Sequence, residues 1–221
     1  MCVAHRYHPS NYGENCAEFY DQIYGHPPRQ LIATLASLAA GGPVLEFGIA
    51  TGRVSIQLAR LGLAVTGIEI SSAMLKVLSG KDLPSSLRVV YGDFSEATAP
   101  GLFHLIFCIH STLLLLPPAL QRHSFENAAK HLSPSGVFLI EAATPAPEVD
   151  LVQTTGRYLM ETTSGARNYT VQQYHTSADE LDGIASDAGL RLVERWSDWT
   201  RAPLVERSLS HISLYVHGEE R

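Results

Sequence analysis

Short apolar runs alternate with segments whose apolar residues recur at helical spacing, and this alternation holds from Pro43 to Glu141. Residues 44–47, 64–68, 87–91, 102–109 and 137–141 read as strands, and residues 53–61, 72–78 and 118–131 as helices between them. Strand–helix alternation at this spacing predicts an α/β fold with a mostly parallel, doubly wound sheet and helices on both faces. Ahead of it, residues 1–42 look helical and connective. Phe19, Tyr20, Ile23 and Tyr24 lie near helical spacing before Pro27-Pro28. Leu31, Ile32, Leu35 and Leu38 share a face before Gly41-Gly42. Past Ala142 the pattern loosens. Thr144-Pro-Ala-Pro147 reads as a connector, residues 150–173 are polar and weakly periodic, and residues 178–189 read as a helix. That last helix has Ser177 as N-cap and Gly189 as its stop. Residues 191–197 and 208–216 then form an expected antiparallel pair at the sheet edge. The expected Rossmann-like sheet has about seven strands.

The strand ends carry the candidate chemistry. After the first strand comes Glu46-Phe-Gly48-Ile-Ala50-Thr-Gly52, a small-residue turn that opens a helix and brings backbone N–H groups close to a ligand. Its spacing is not the G-x-G-x-x-G of a dinucleotide site. The second strand ends in Val65-Thr-Gly67-Ile68-Glu69, where a carboxylate can accept two ribose hydroxyls or, equally, cap the next helix. The third closes on Tyr91-Gly92-Asp93-Phe94. Asp93 can accept an adenine amino group and Phe94 can cover the ring, or the pair is an ordinary turn. All three fall at the C-terminal ends of successive strands, the edge where open α/β sheets bind ligands.

In order and separation these three segments resemble motifs I, II and III of the class I S-adenosylmethionine (SAM) methyltransferases, of the bacterial small-molecule type. Residues 132–140 and 177–199 are similar to the family's fifth-strand entry and C-terminal part. The resemblance implies a lid in residues 1–42, a SAM-binding core in 43–142, a substrate-cover segment in 143–176, and a closing helix and strands in 177–221, all in one domain. It implies SAM as cofactor, with S-adenosylhomocysteine as product. The cofactor residues it implies are Tyr12, Tyr20, Glu46, Gly48, Ala50, Gly52, Arg53, Glu69, Ile70, Met74, Gly92, Asp93, Phe94 and His110. His110 is also the catalytic candidate, as base or orienting group; a hydrogen-bonded pocket histidine is the competing reading. The lid tyrosines can face a sulfonium or form a packing stripe. Two departures stand out. The commonest family turn has Gly where Ala50 stands, a change that a negative φ accommodates, and the stretch 144–176 looks more compact than the family's stranded insertion.

The expected activity is methyl transfer to an O, N or C atom of a small metabolite such as a natural product or amino sugar. The alternative is the same fold repurposed for a non-methylating step such as cyclisation. A nicotinamide dehydrogenase or nucleotide-binding regulator is disfavoured by the turn spacing. The net charge of −6, with no basic stripe, excludes nucleic acid as the expected partner. Cys2, Cys16 and Cys108 lack metal or disulfide spacing, and no histidine pair has metal-site spacing, so no metal is expected. With no secretory leader and no membrane-length apolar run, a cytoplasmic monomer or homodimer is expected.

Overall fold

The computed structural model describes residues 10–144, 153–162 and 165–218; Cys2 and most of the 144–147 connector lie outside the described residues. Seven strands form one sheet: β1 (Val44–Phe47), β2 (Val65–Glu69), β3 (Leu87–Tyr91), β4 (Phe103–Cys108), β5 (Leu132–Ala143), and two more near the C-terminus. Numbering the intervening hairpin strands β6 (Gln153–Thr162) and β7 (Gly165–Tyr174), those last two are β8 (Leu190–Trp196) and β9 (Ser210–His217). The order is β3-β2-β1-β4-β5-β9-β8. Strands β1 to β5 are mutually parallel, and β9 runs antiparallel to both β5 and β8. The chain moves outward from β1 through β2 to β3, then crosses back to lay β4 on the other side of β1. That reversal opens a crevice above the C-terminal ends of β1 and β4.

The central strands are buried on both faces, as their unbroken apolar sequence requires. On one face Leu31 and Leu35 of α3 (Arg29–Ala39) and Leu58 of α4 (Ser55–Arg60) pack against Val44, Val65, Leu105 and Phe107. On the other, Phe125 of α6 (Pro118–His131) and Leu181 of α7 (Ala178–Asp187) pack against Leu45, Ile106, Phe138 and Tyr215. Helix α7 begins with the expected Ser177 cap, and Glu180 completes a capping box. Gly189 takes φ +77 after its last turn. The Asp182 carboxylate on that helix is gripped by both terminal nitrogens of Arg195, at 2.5 and 3.1 Å, and by Tyr215 Oη at 2.9 Å. These bonds pin α7 to β8 and β9.

Two elements differ from the sequence pattern. The helical stretch expected around Phe19, Tyr20, Ile23 and Tyr24 is not continuous: the chain forms α1 (Ser10–Cys16), a 3-10 turn at Ala17–Phe19 and α2 (Tyr20–Tyr24). Tyr12, Phe19 and Tyr20 pack in one cluster with Met74, while Tyr24 is exposed. The stretch read as compact and weakly periodic contains the antiparallel hairpin of β6 and β7, two ten-residue strands paired from Gln153↔Tyr174 to Thr162↔Gly165. Its sequence hides this because the hairpin stands apart from the main sheet as its own two-stranded sheet. A ribbon with no continuous core face need not alternate apolar and polar residues.

Candidate functional site

The C-terminal ends of β1, β2 and β3 converge on a narrow crevice of about 60 Å³. Its walls include Tyr12, Tyr20, Gly48, Ala50, Glu69, Ile70, Met74 and Phe94. These eight expected cofactor residues come from four separate stretches of chain. Gly13, Thr112, Leu115 and Leu116 complete the lining. Gly13 escaped sequence reasoning because nothing local marks it. A Cβ there would lie 2.5 Å from Ser71, so only glycine lets α1 approach α5 (Ser72–Ser79).

Glu69, nearly buried, accepts backbone N–H bonds from Ala50 and Ser71, each at 2.8 Å and one to each carboxylate oxygen. The helix cap is Ser71, whose Oγ accepts from Met74 N. Glu69 therefore ties the motif turn to the second βα corner and keeps acceptor capacity facing the crevice. Burial pulls its pKa upward, against the backbone bonds that pull it down. Phe94 stacks on Phe47 with centroids 5.2 Å apart, which fixes the apolar wall at the end of β3. Asp93 accepts from Ser95 N at 2.8 Å, the turn contact that its bland reading foresaw.

The motif turn is built on positive φ: Gly48 at +78, Ala50 at +49 and Gly52 at +80. Ala50 thus departs from the negative φ that its side chain would prefer. An L-residue in this region stores strain of about 1–2 kcal/mol. A Cβ on Gly48 would sit 2.7 Å from Thr112 Cγ2, so the close approach is real. Ile49 fits because its side chain occupies the space a Cβ on Gly67 would fill, at 2.4 Å. This cradle, with a carboxylate on one side and apolar walls on the other, fits the adenosyl and sulfonium parts of SAM.

Six expected cofactor residues stand outside the crevice walls: Glu46, Gly52, Arg53, Gly92, Asp93 and His110. Glu46 is sealed in the core beneath the turn, where Ser55 Oγ donates to its carboxyl. Burial pushes its pKa up to about 8, although the Ser55 bond and the Arg53 charge oppose the rise. Gly52 turns inward, where a Cβ would strike Leu78 Cδ1 at 2.5 Å.

A second chamber of about 160 Å³ adjoins the crevice and shares Tyr12, Tyr20, Thr112 and Leu115 as common walls. Tyr24, His110, Val171 and Gln173 complete it. The β7 residues come from the hairpin that the sequence concealed. Tyr12 and Tyr24 bond through their hydroxyls at 2.8 Å, and Tyr20 lies between them, ring to ring with Tyr24 at 4.7 Å. Burial raises the pKa of both Tyr12 and Tyr20, so these phenols remain neutral. His110 and Ser111, both at positive φ, end β4 in a tight corner. The Glu141 carboxylate accepts from His110 N at 2.9 Å and from Trp199 Nε1 at 3.0 Å. Among the described residues the other histidines stay apart from these walls: His131 bonds Ala99 N and Asn127 O, and His175 bonds Thr154. Among the described residues no group of three His, Cys, Asp or Glu side chains gathers to hold a metal.

The N-terminal segment is fastened over this site by contacts that no motif announces. Glu14 accepts from Ser71 Oγ, Ser72 Oγ and Ala73 N at 3.0–3.2 Å, capping α5 from 59 positions upstream. Asp21 receives Thr51 Oγ1 and pairs with Lys81, both at 2.5 Å.

This architecture and crevice resemble those of the class I SAM-dependent methyltransferases, and the comparisons support that family for the chain. Residues 44–136 match the family described as "Methyltransferase domain". The chain is 29% identical over 143 residues to the cypemycin N-terminal methyltransferase of a Streptomyces species, a match covering 62% of this chain and 58% of that relative. Among solved structures it resembles the CcbJ methyltransferase of Streptomyces caelestis at 28% identity and TM-score 0.85, covering 96% of this chain and 100% of the other. The glycopeptide N-methyltransferase MtfA, solved with SAM bound, shares the fold at 20% identity and TM-score 0.69, each chain covered to 90%. Among the described residues no helix is long and apolar enough to cross a membrane.

Proposed function

We propose that this protein transfers the methyl group of SAM to an amine nitrogen of a small metabolite. The observation that carries this reading is the pair of joined chambers, one lined by Glu69, the motif turn and Phe94 and the other walled by tyrosines and His110. Bound SAM supplies an already activated methyl group, so the protein has to position an acceptor in line with it and exclude water. Glu69 accepts the ribose hydroxyls; Phe94, Ile70 and Met74 enclose the base, with Asp93 at its amino edge. Tyr12 and Tyr20, neutral and at the junction of the chambers, offer ring faces to the sulfonium.

The preference for nitrogen over oxygen comes from His110. An alcohol or phenol needs a base as it reacts, whereas an amine that arrives uncharged needs none. The Nε2 lone pair of His110 accepts a bond from Arg53 at 3.0 Å and is already engaged. Burial, helped by the Arg53 charge and opposed by Glu141, also lowers the pKa of this imidazole. His110 then orients the acceptor rather than removing a proton. The name of the cypemycin relative, an N-terminal methyltransferase, points the same way. The acidic net charge favours a small molecule over a nucleic acid.

The test is turnover of SAM carrying an isotope-labelled methyl group with matched pairs of small amines and alcohols. Label is expected on amine nitrogen. Label confined to hydroxyl oxygen would overturn the nitrogen assignment. Product formed with the label still on SAM would favour a repurposed, non-methylating enzyme.

A further inference from the structure

Arg53 follows Gly52 directly, so its backbone belongs to the cofactor turn while its side chain leaves the cofactor crevice. One terminal nitrogen donates to the carbonyls of Tyr24 and Gly25, at 3.0 and 2.7 Å; the other reaches His110 Nε2 at 3.0 Å. The guanidinium also lies over the Tyr24 and Tyr20 rings, 5.3 and 6.0 Å from their centroids. One side chain thus joins the motif turn, the end of the N-terminal segment and the corner after β4. A guanidinium only donates hydrogen bonds. His110 Nε2 must therefore accept, which leaves the ring proton on Nδ1, facing Glu141 Oε2 at 3.8 Å.

We propose that Arg53 is a positioning residue that holds His110 as the neutral Nδ1–H tautomer and, with the same fork, fastens the Tyr24–Gly25 end of the N-terminal segment over the acceptor chamber. The catalytic part of this inference rests on the methyl-transfer reading above; the tautomer lock does not. Among the described residues the groups facing His110 are few. Arg53 approaches from the turn after β1, Glu141 from β5, and Tyr12, Tyr20 and Tyr24 from the N-terminal helices; β7 brings Val171 and Gln173, which do not titrate. Arg53 is the one cation among them, so its removal leaves Glu141 unopposed and the imidazole binds a proton more readily. Lysine at this position would keep the charge but lose the planar fork that spans three acceptors.

The experiment is nitrogen-detected NMR of the imidazole across pH, without cofactor or acceptor. A His110→Gln variant identifies the signal. Wild type is expected to show the Nδ1–H tautomer, with a midpoint below that of an ordinary histidine. Arg53→Met is expected to shift the midpoint upward and to release the tautomer. Arg53→Lys should retain the low midpoint. Where turnover is measurable, both variants should lose on the order of 10- to 100-fold in kcat/KM, mostly through acceptor KM. An Nε2–H tautomer in wild type, or a His110 midpoint that Arg53→Met leaves in place, overturns the proposal. Should Arg53→Met fail to fold, the wild-type tautomer and the Arg53→Lys titration still decide it. A locked tautomer in a chain that moves no methyl group would sink the proposed activity and leave the lock standing.

Discussion

The two chambers are built by different means. The cofactor crevice is largely a product of backbone: glycine and alanine at positive φ, amide groups gripped by Glu69, and a stacked Phe94 at a strand end. Half of its lining residues come from three consecutive βα corners. The acceptor chamber is a product of side chains, brought from positions as far apart as Tyr12 and Gln173 and held by cross-links such as Arg53–His110 and Tyr12–Tyr24. A backbone-built site tolerates little change in residue size and fixes one ligand. A side-chain site can be rebuilt one residue at a time while the fold stays intact, which is how one cofactor can serve many acceptors.

Glu46, buried beneath the motif turn, offers the largest test of where the crevice ends. In the folded chain its carboxyl stays protonated until about pH 8, whereas an ordinary carboxyl ionises near 4.5. The raised pKa makes its contribution complete below pH 4.5 and lost as pH climbs through 8, because only the unfolded chain releases the proton in that window. The full span corresponds to roughly 5 kcal/mol. Glu46→Gln, neutral at every pH, is expected to remove that slope from a series of melting curves between pH 4.5 and 8. An unchanged slope would mean that the carboxyl is already ionised in the fold.

Glu69 tests the backbone-built half alone. Glu69→Ala removes the acceptor for Ala50 N and Ser71 N together with the proposed ribose ligand. SAM affinity should fall by about 1.5–3 kcal/mol, roughly 10- to 100-fold, in calorimetric titration. Acceptor KM at saturating SAM should hardly move. Equal losses for both ligands would show that the two chambers are not separable.

The difference in construction also explains what the sequence made legible. The strand–turn–helix order, the sheet and the Glu69, Gly48 and Phe94 positions could be read because local spacing dictates them. The same spacing left open where the Glu46, Gly52 and Arg53 side chains would go. Being next to the turn says nothing about which way a side chain leaves it, and burial under Ser55 or a reach toward Tyr24 is decided by tertiary packing. Glu14, Asp21 and the β7 wall had no signal at all. Each acts on residues remote in sequence, and the hairpin lacks the alternation that a buried face would impose.

Ala50 supplies the smallest and sharpest test. Its φ of +49 costs an L-residue about 1–2 kcal/mol, which glycine would not pay. Glycine loses roughly 0.5–1 kcal/mol through the greater freedom of the unfolded chain. Ala50→Gly should therefore stabilise the fold by about 0.5–1 kcal/mol, a rise in Tm of roughly 1–4 °C. The methyl group also rests against the cluster around Tyr20 and Met74, and that contact would be lost. If Tm falls instead, packing against the N-terminal segment outweighs the backbone strain. The turn would then belong partly to the side-chain-built half, and a change there should raise acceptor KM as well as weaken SAM binding.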